Sequence, residues 1–271
     1  MKRTRTLYLL PLCVAVLFAQ GPRGGGFGPG GPGGFGGFGG RGPGLLGAGP
    51  RTPVTGFPYS ATETLVRQQT LSTGNTTSQT QQSTVARDSQ GRVSASETIT
   101  PPTASGKAPY TIQTIFDPVA GFRYVLNSST MIALQTTLPP PPTGTPPTRT
   151  PPTGANAPVR TTTSLGTVVI NGVAATGTQI TETIPAGSPL GNAQPIQIVR
   201  VTWVSTDLKV PVQIKTSDPR FGSSDLEVTN IVQAEPNGSL FIVPAGYTVK
   251  QGGRGPGGPG GLARRRGQPA Q

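Results

Sequence analysis

The side chains that could do chemistry in this chain are few, and their spacing is poor for catalysis. There is no histidine and a single cysteine, Cys13, which removes the commonest general base and the commonest ligands of zinc, copper and iron. Beyond the first residues the lysines are Lys107, Lys209, Lys215 and Lys250, and none stands in an S-x-x-K pattern that would activate a serine. They read as solvated lysines on strand faces. Asp225 and Glu227 lie two apart, so a strand would put both carboxylates on one face. Their plainer reading is a solvent-facing strand start. Asp218-Pro219-Arg220 could clamp a polar group between opposite charges, yet Asp before Pro is first of all a turn signal. No calcium loop of the D-x-D-x-D-G type is present. The expectation is therefore a non-enzymatic protein with no catalytic residue, no cofactor and no metal.

Binding residues are the remaining candidates. Phe116, Tyr124 and Trp203 are aromatic side chains that could line an apolar cavity, with ordinary core packing as the alternative. Arg264, Arg265 and Arg266 set three adjacent guanidinium groups on a Gly/Pro-rich tail, a candidate contact for an anionic surface or envelope polymer. The formal charge of +12 belongs to the two ends, because 11 basic residues face all 10 acids between Thr52 and Val249. A nearly neutral middle argues against a basic groove on the fold and against specific nucleic-acid recognition. The Gly-rich run Gly24–Gly44 carries only Arg41, whereas RNA-binding tails combine frequent Arg with stacking aromatics. It reads as a spacer.

The segments that must position these residues divide the chain. Met1-Lys2-Arg3-Thr4-Arg5 followed by the apolar run Leu7–Ala19 has the form of a secretory signal peptide, residues 1–19, too short to span a bilayer. Residues 20–51 are mostly Gly with Pro and Phe and cannot bury enough apolar surface to offset chain entropy, so disorder is expected. A β domain is expected over 52–250, and a disordered basic tail over 251–271.

Within the domain, short alternating stretches are separated by turn signals. "SATETLVRQQTL", "TTSQTQQSTVARD" and "RVSASETIT" are polar strand candidates joined by "STGN" and "SQGR". "YTIQTIFDPVAGFRYVLN" is an apolar hairpin around Asp117-Pro118-Val119-Ala120-Gly121, and "MIALQTT" adds a strand. After the Pro/Thr-rich stretch 138–160 come "LGTVVI", an Asn171-Gly172 turn, "VAATGTQITETI", "PIQIVRVTWVST", "LKVPVQIKT" and "LEVTNIVQAE". Ile196 and Ile198 oppose Val199, Val201 and Trp203 in parity, which predicts a strand covered on both faces and central in its sheet. Pro211 predicts an edge or a bulge. The Pro/Thr-rich stretch is an extended loop within one domain or a linker between two, the loop being favoured because the polar strands before it cannot close a core alone. No stretch keeps a 3.6-residue apolar period over three turns. The fold class is mostly β, an antiparallel curved sheet, half-barrel or sandwich with disordered Gly/Pro-rich termini.

Four stretches, "FDPVAGFRYVL" (116–126), "IPAGSPLGNAQPIQIV" (184–199), "SDPRFG" (217–222) and "TNIVQAEPNGSLFIVPAGYTV" (229–249), resemble a family of secreted bacterial β-rich proteins. The strand order with its "I-x-D-P-x-x-G-x-x-Y-x-L" hairpin and terminal "F-x-V-P-x-G-Y" also resembles the lipoprotein-carrier (LolA-like) superfold. That resemblance implies a curved half-barrel whose concave face holds acyl chains or a lipidated partner. The helices that cover that face in the carriers have no counterpart here, and no functional residue of theirs maps onto this chain. The resulting expectation is an exported binding protein, periplasmic or extracellular, for lipid or another apolar ligand. The alternative is a structural or surface-interaction protein working through its Gly/Pro-rich ends. Processing near Ala19 is the first prediction: intact-mass analysis of exported protein should show the loss of roughly the first twenty residues, and recovery of the whole chain from the cytoplasm would overturn it.

Overall fold

The computed structural model describes residues 53–140, 157–188 and 190–252, all within one compact unit. The expected signal peptide, the Gly-rich segment, most of the Pro/Thr-rich stretch and the tail with Arg264, Arg265 and Arg266 lie outside the described residues.

Twelve strands follow one another: β1 (Tyr59–Thr70), β2 (Thr76–Arg87), β3 (Val93–Ile99), β4 (Tyr110–Asp117), β5 (Phe122–Asn127), β6 (Ile132–Thr137), β7 (Val159–Ile170), β8 (Val173–Ile184), β9 (Ile196–Ser205), β10 (Pro211–Asp218), β11 (Gly222–Val232) and β12 (Thr248–Gln251). The described residues contain no α-helix, only 3-10 turns at Thr103–Ser105 and Gly238–Phe241. The turns are where the sequence signals put them. Asn171 and Gly172 have φ of 47° and 85°, the two positive values that a type I′ hairpin needs. Asp117 Oδ1 accepts from the Val119 and Ala120 amides, closing the β4–β5 turn.

The strands form a single open, curved sheet in the order β12-β6-β5-β4-β3-β2-β1-β11-β10-β9-β8-β7. It consists of two antiparallel meanders, β1–β6 and β7–β11, joined where β1 pairs with β11. β12 is the exception, running parallel to β6. From β6 the chain must regain the opposite edge at β7, about 48 Å away along the sheet at the usual strand spacing.

Several strands depart from the sequence reading: β12 has no counterpart in it, β11 begins four residues before "LEVTNIVQAE", and β9 and β7 differ in position and in length. β9, expected at the centre, is third from the β7 edge. Its two-sided apolar pattern reflects burial on a curved sheet, with Ile198 buried on one face and Trp203 lying over Gly177 on the other, rather than a central position. β7 begins at Val159, so its polar "RTTTS" is strand as well as "LGTVVI"; edge strands bury little and therefore carry no apolar alternation. Pro211 lies at a bulge in the β9–β10 ladder, as its missing N–H requires.

The larger core cluster gathers at one end of the sheet, from Tyr59, Ala61, Val85, Val93, Ala95 and Phe116 on the first meander and Val173, Ala175, Leu208, Val212 and Val228 on the second. Arg87 is buried in it at 1% exposure. Its Nε and Nη2 donate to the Phe57 carbonyl at 3.0 and 2.7 Å, and Nη2 also donates to the Leu208 carbonyl at 2.5 Å. The guanidinium stands 5.0 Å from the centroid of the Tyr59 ring. One side chain thus ties the entry to β1 and the β9–β10 turn to β2. Burial pushes the Tyr59 phenol up to about 12, against the lowering influence of Arg87.

Two measurements check this cluster. Arg87→Met should lower unfolding free energy by about 3 kcal/mol, because two part-buried carbonyls lose charged donors, and Arg87→Lys should recover only part of it; urea denaturation measures both. Phenolate absorbance in an alkaline titration should show one late step near 12 that Tyr59→Phe removes. Between the unfolded value of 10 and the folded value near 12 the unfolded chain holds fewer protons, so stability is constant below the first and falls as pH rises toward the second.

Candidate functional site

Alternation along β1 defines the two faces of the sheet. Face A takes Tyr59, Ala61, Glu63, Leu65 and Arg67; face B takes Ser60, Thr62, Thr64, Val66 and Gln68, and the ladders carry both assignments across the neighbouring strands.

Part of face B is covered by the chain itself. After β11 the backbone crosses that face to reach β12 beside β6. Ser89 donates its amide and hydroxyl to Glu235, Arg92 stacks 5.2 Å from the Phe241 ring centroid, and Gln113 Nε2 donates to the Leu240 carbonyl at 3.1 Å. Val243 and Tyr247 then pack on Ile115, Leu126 and Ala133. Arg92 is itself held by Asp88 at 2.6 Å, so the β2–β3 turn anchors the crossing.

Beyond the crossing, face B is uncovered over β1, β11, β10 and β9, where an open groove of about 430 Å³ lies. The registers set Val66 opposite Asp225, Asp225 opposite Lys215 and Lys215 opposite Val201, with Val199 one step further along β9. Valines therefore flank a central ion pair, Lys215 Nζ to Asp225 Oδ2 at 3.5 Å. The other oxygen, Asp225 Oδ1, is buried with no hydrogen-bond partner. Such a groove suits a ligand with an apolar body and a group that donates to a carboxylate. Glu227 turns to another partner, accepting from Asn171 Nδ2 at 3.0 Å. Asp225 and Glu227 share a face but not a task, and no acid–base pair is built from them.

The aromatic candidates are spread over the sheet. Phe116 lies in the larger cluster on face A. Tyr124 is on face B under the crossing, its hydroxyl accepting from Gln135 Nε2 at 3.0 Å. Trp203 lies two residues beyond Val201 toward the core end of β9 and packs against the larger cluster. None of the three lines the groove. Val66, Val199 and Lys215 were missed as a set because their meeting depends on cross-strand register; the even spacing of Asp225 and Glu227 was the one local signal.

Asp218-Pro219-Arg220 closes on itself. Arg220 donates its amide and Nε to Asp218 Oδ1, both at 2.9 Å, and Nη2 to Oδ2 at 2.6 Å. The Arg220 hydrogen bonds hold the Asp218 carboxyl below its usual range against the opposing effect of burial. Gly222 completes the turn at φ 90°, and a Cβ there would strike the Gln68 carbonyl. Arg200 sits half-buried on face A, its pKa pulled down by burial and then by Arg160.

The fold thus defines an open single-sheet β protein with one face half closed by its own C-terminal crossing. No known protein family and no curated protein matches the chain in sequence. Similar solved structures include a LolA superfamily protein from Nitrosomonas europaea, at 10% identity over 70% of this chain and 92% of that one, TM-score 0.31. Lipoprotein LppX from Mycobacterium tuberculosis is similar at 14% identity over 67% and 90%, TM-score 0.28, and LprF from Mycobacterium bovis at 13% over 66% and 89%, TM-score 0.27. The Nitrosomonas europaea protein carries the LolA superfamily name. At such scores these structures transfer no ligand and no residue role.

Proposed function

We propose that this protein is an exported, non-enzymatic binding protein for an apolar or amphiphilic molecule of the lipid class, held in the groove on face B. The observation that carries this reading is the groove itself: apolar flanks from Val66, Val199 and Val201 around the half-exposed Lys215–Asp225 ion pair. A hydroxyl on a ligand can donate to the exposed part of that carboxylate. The valines add roughly 25 cal/mol for each Å² of apolar surface they cover. A monoacylglycerol has both features.

Titration of the exported protein with a pyrene-labelled monoacylglycerol tests the reading. Saturable binding is expected, weakened about tenfold by Val199→Gln with Val201→Gln, a loss of about 1.4 kcal/mol, while circular dichroism melting stays near wild type. Absence of binding, or equal binding by the double variant, would overturn it.

A further inference from the structure

The two ends of the sheet are chemically unlike. At the end remote from the main core, successive connections stand side by side along the sheet: β5–β6, β3–β4, β1–β2, β10–β11 and β8–β9. The last three present large apolar tips to solvent, Leu71 at 42%, Phe221 at 66% and Leu190 at 62% exposure. Phe221 is fixed in place, since Gly222 seats its turn against Gln68 of β1 and the Arg220 guanidinium stacks 5.0 Å from its ring centroid.

The charge around these tips is net positive. Arg67, Arg160 and Arg200 lie on the strand halves that lead to them, and Lys107 lies in the β3–β4 connection. None of the four makes an ion pair among the described residues, and Asp218 and Asp225 are already taken by Arg220 and Lys215. Glu182 and Glu97, which accepts from Gln81 Nε2, are the other carboxylates on the strand halves that lead to this end, so the four cations outnumber them. The opposite end differs: Val119 is as exposed, at 65%, but it follows Asp117, and Asp207 and Glu235 share that end with Lys209.

We propose that the loop rim carrying Leu71, Phe221 and Leu190 docks on the surface of an anionic lipid bilayer. The apolar tips enter the headgroup boundary, as amphipathic surface elements do, and Arg67, Arg160 and Lys107 face the negative headgroups. Charge complementarity selects the bilayer as partner. The groove on face B runs from Thr64 and Glu227 toward Gln68 and Ser223, so docking would bring its outer end to the lipid. The docking itself does not depend on what the groove holds.

Flotation of the exported full chain with vesicles of phosphatidylcholine, with or without phosphatidylglycerol, provides the test. Binding is expected only to the mixed vesicles, fading with salt over a screening length of about 8 Å at physiological ionic strength. Leu71→Ser, Leu190→Ser and Phe221→Ser together should weaken it at least tenfold, and Val119→Ser should leave it unchanged. The tail arginines 264–266 are the rival source of vesicle binding, so removal of residues 253–271 should leave most of it. Phe221→Trp should show a blue-shifted emission component on mixed vesicles that brominated lipid quenches. Binding that ignores the tip substitutions, disappears with the tail, or is equal on neutral vesicles overturns the proposal. Absence of binding does so too, as does a Phe221→Trp variant whose added emission brominated lipid leaves unquenched.

Discussion

One ladder makes a single sheet of two meanders, the pairing of β1 with β11. Each meander alone is a run of local hairpins whose polar strands bury little. Joined, they bring Tyr59, Val85 and Phe116 into one cluster with Leu208, Val212 and Val228. Arg87 reinforces the same seam by donating to the carbonyls of Phe57 and Leu208. A buried guanidinium is costly unless its donors are used, and here backbone oxygens from two sequence-distant segments use them. The seam thereby demands a specific approach of the two halves, not merely their collapse.

The C-terminal segment follows from that arrangement. It leaves β11 at the core end, where Glu235 meets Ser89 and Phe241 lies against Arg92. It then crosses the first meander to add β12 beside β6. Its apolar residues close the half of face B that carries Ile115 and Leu126. The other half keeps its groove because the chain has no second segment among the described residues to lay across it. Which half of face B is left uncovered thus decides where the groove proposed to bind a ligand lies.

Much of the fold was legible locally. Alternation, Gly and Asn at turns, Pro211 and the Asp-Pro-x-x-Gly motif announce strands, hairpins and a bulge through backbone sterics and short-range hydrogen bonding. β7 was read too short because an edge strand with both faces in water has no apolar period to detect. β9 was read as central because apolar residues on both sides signal burial, and curvature buries as well as centrality does.

The candidate site was less legible. Asp225 and Glu227 could be seen to share a face, but their separate partners, Lys215 and Asn171, lie ten residues or more away along the chain. Phe116, Tyr124 and Trp203 looked alike as aromatic residues and are divided between two clusters. The sequence by itself determined the strand segments, the turn chemistry and the scarcity of catalytic groups, because these depend on neighbours within a few residues. Only the tertiary structure decided the junction of β1 with β11, the half of face B that stays open and the residues that meet in its groove. Those depend on register between distant strands, where a shift of one residue would send every side chain to the other face.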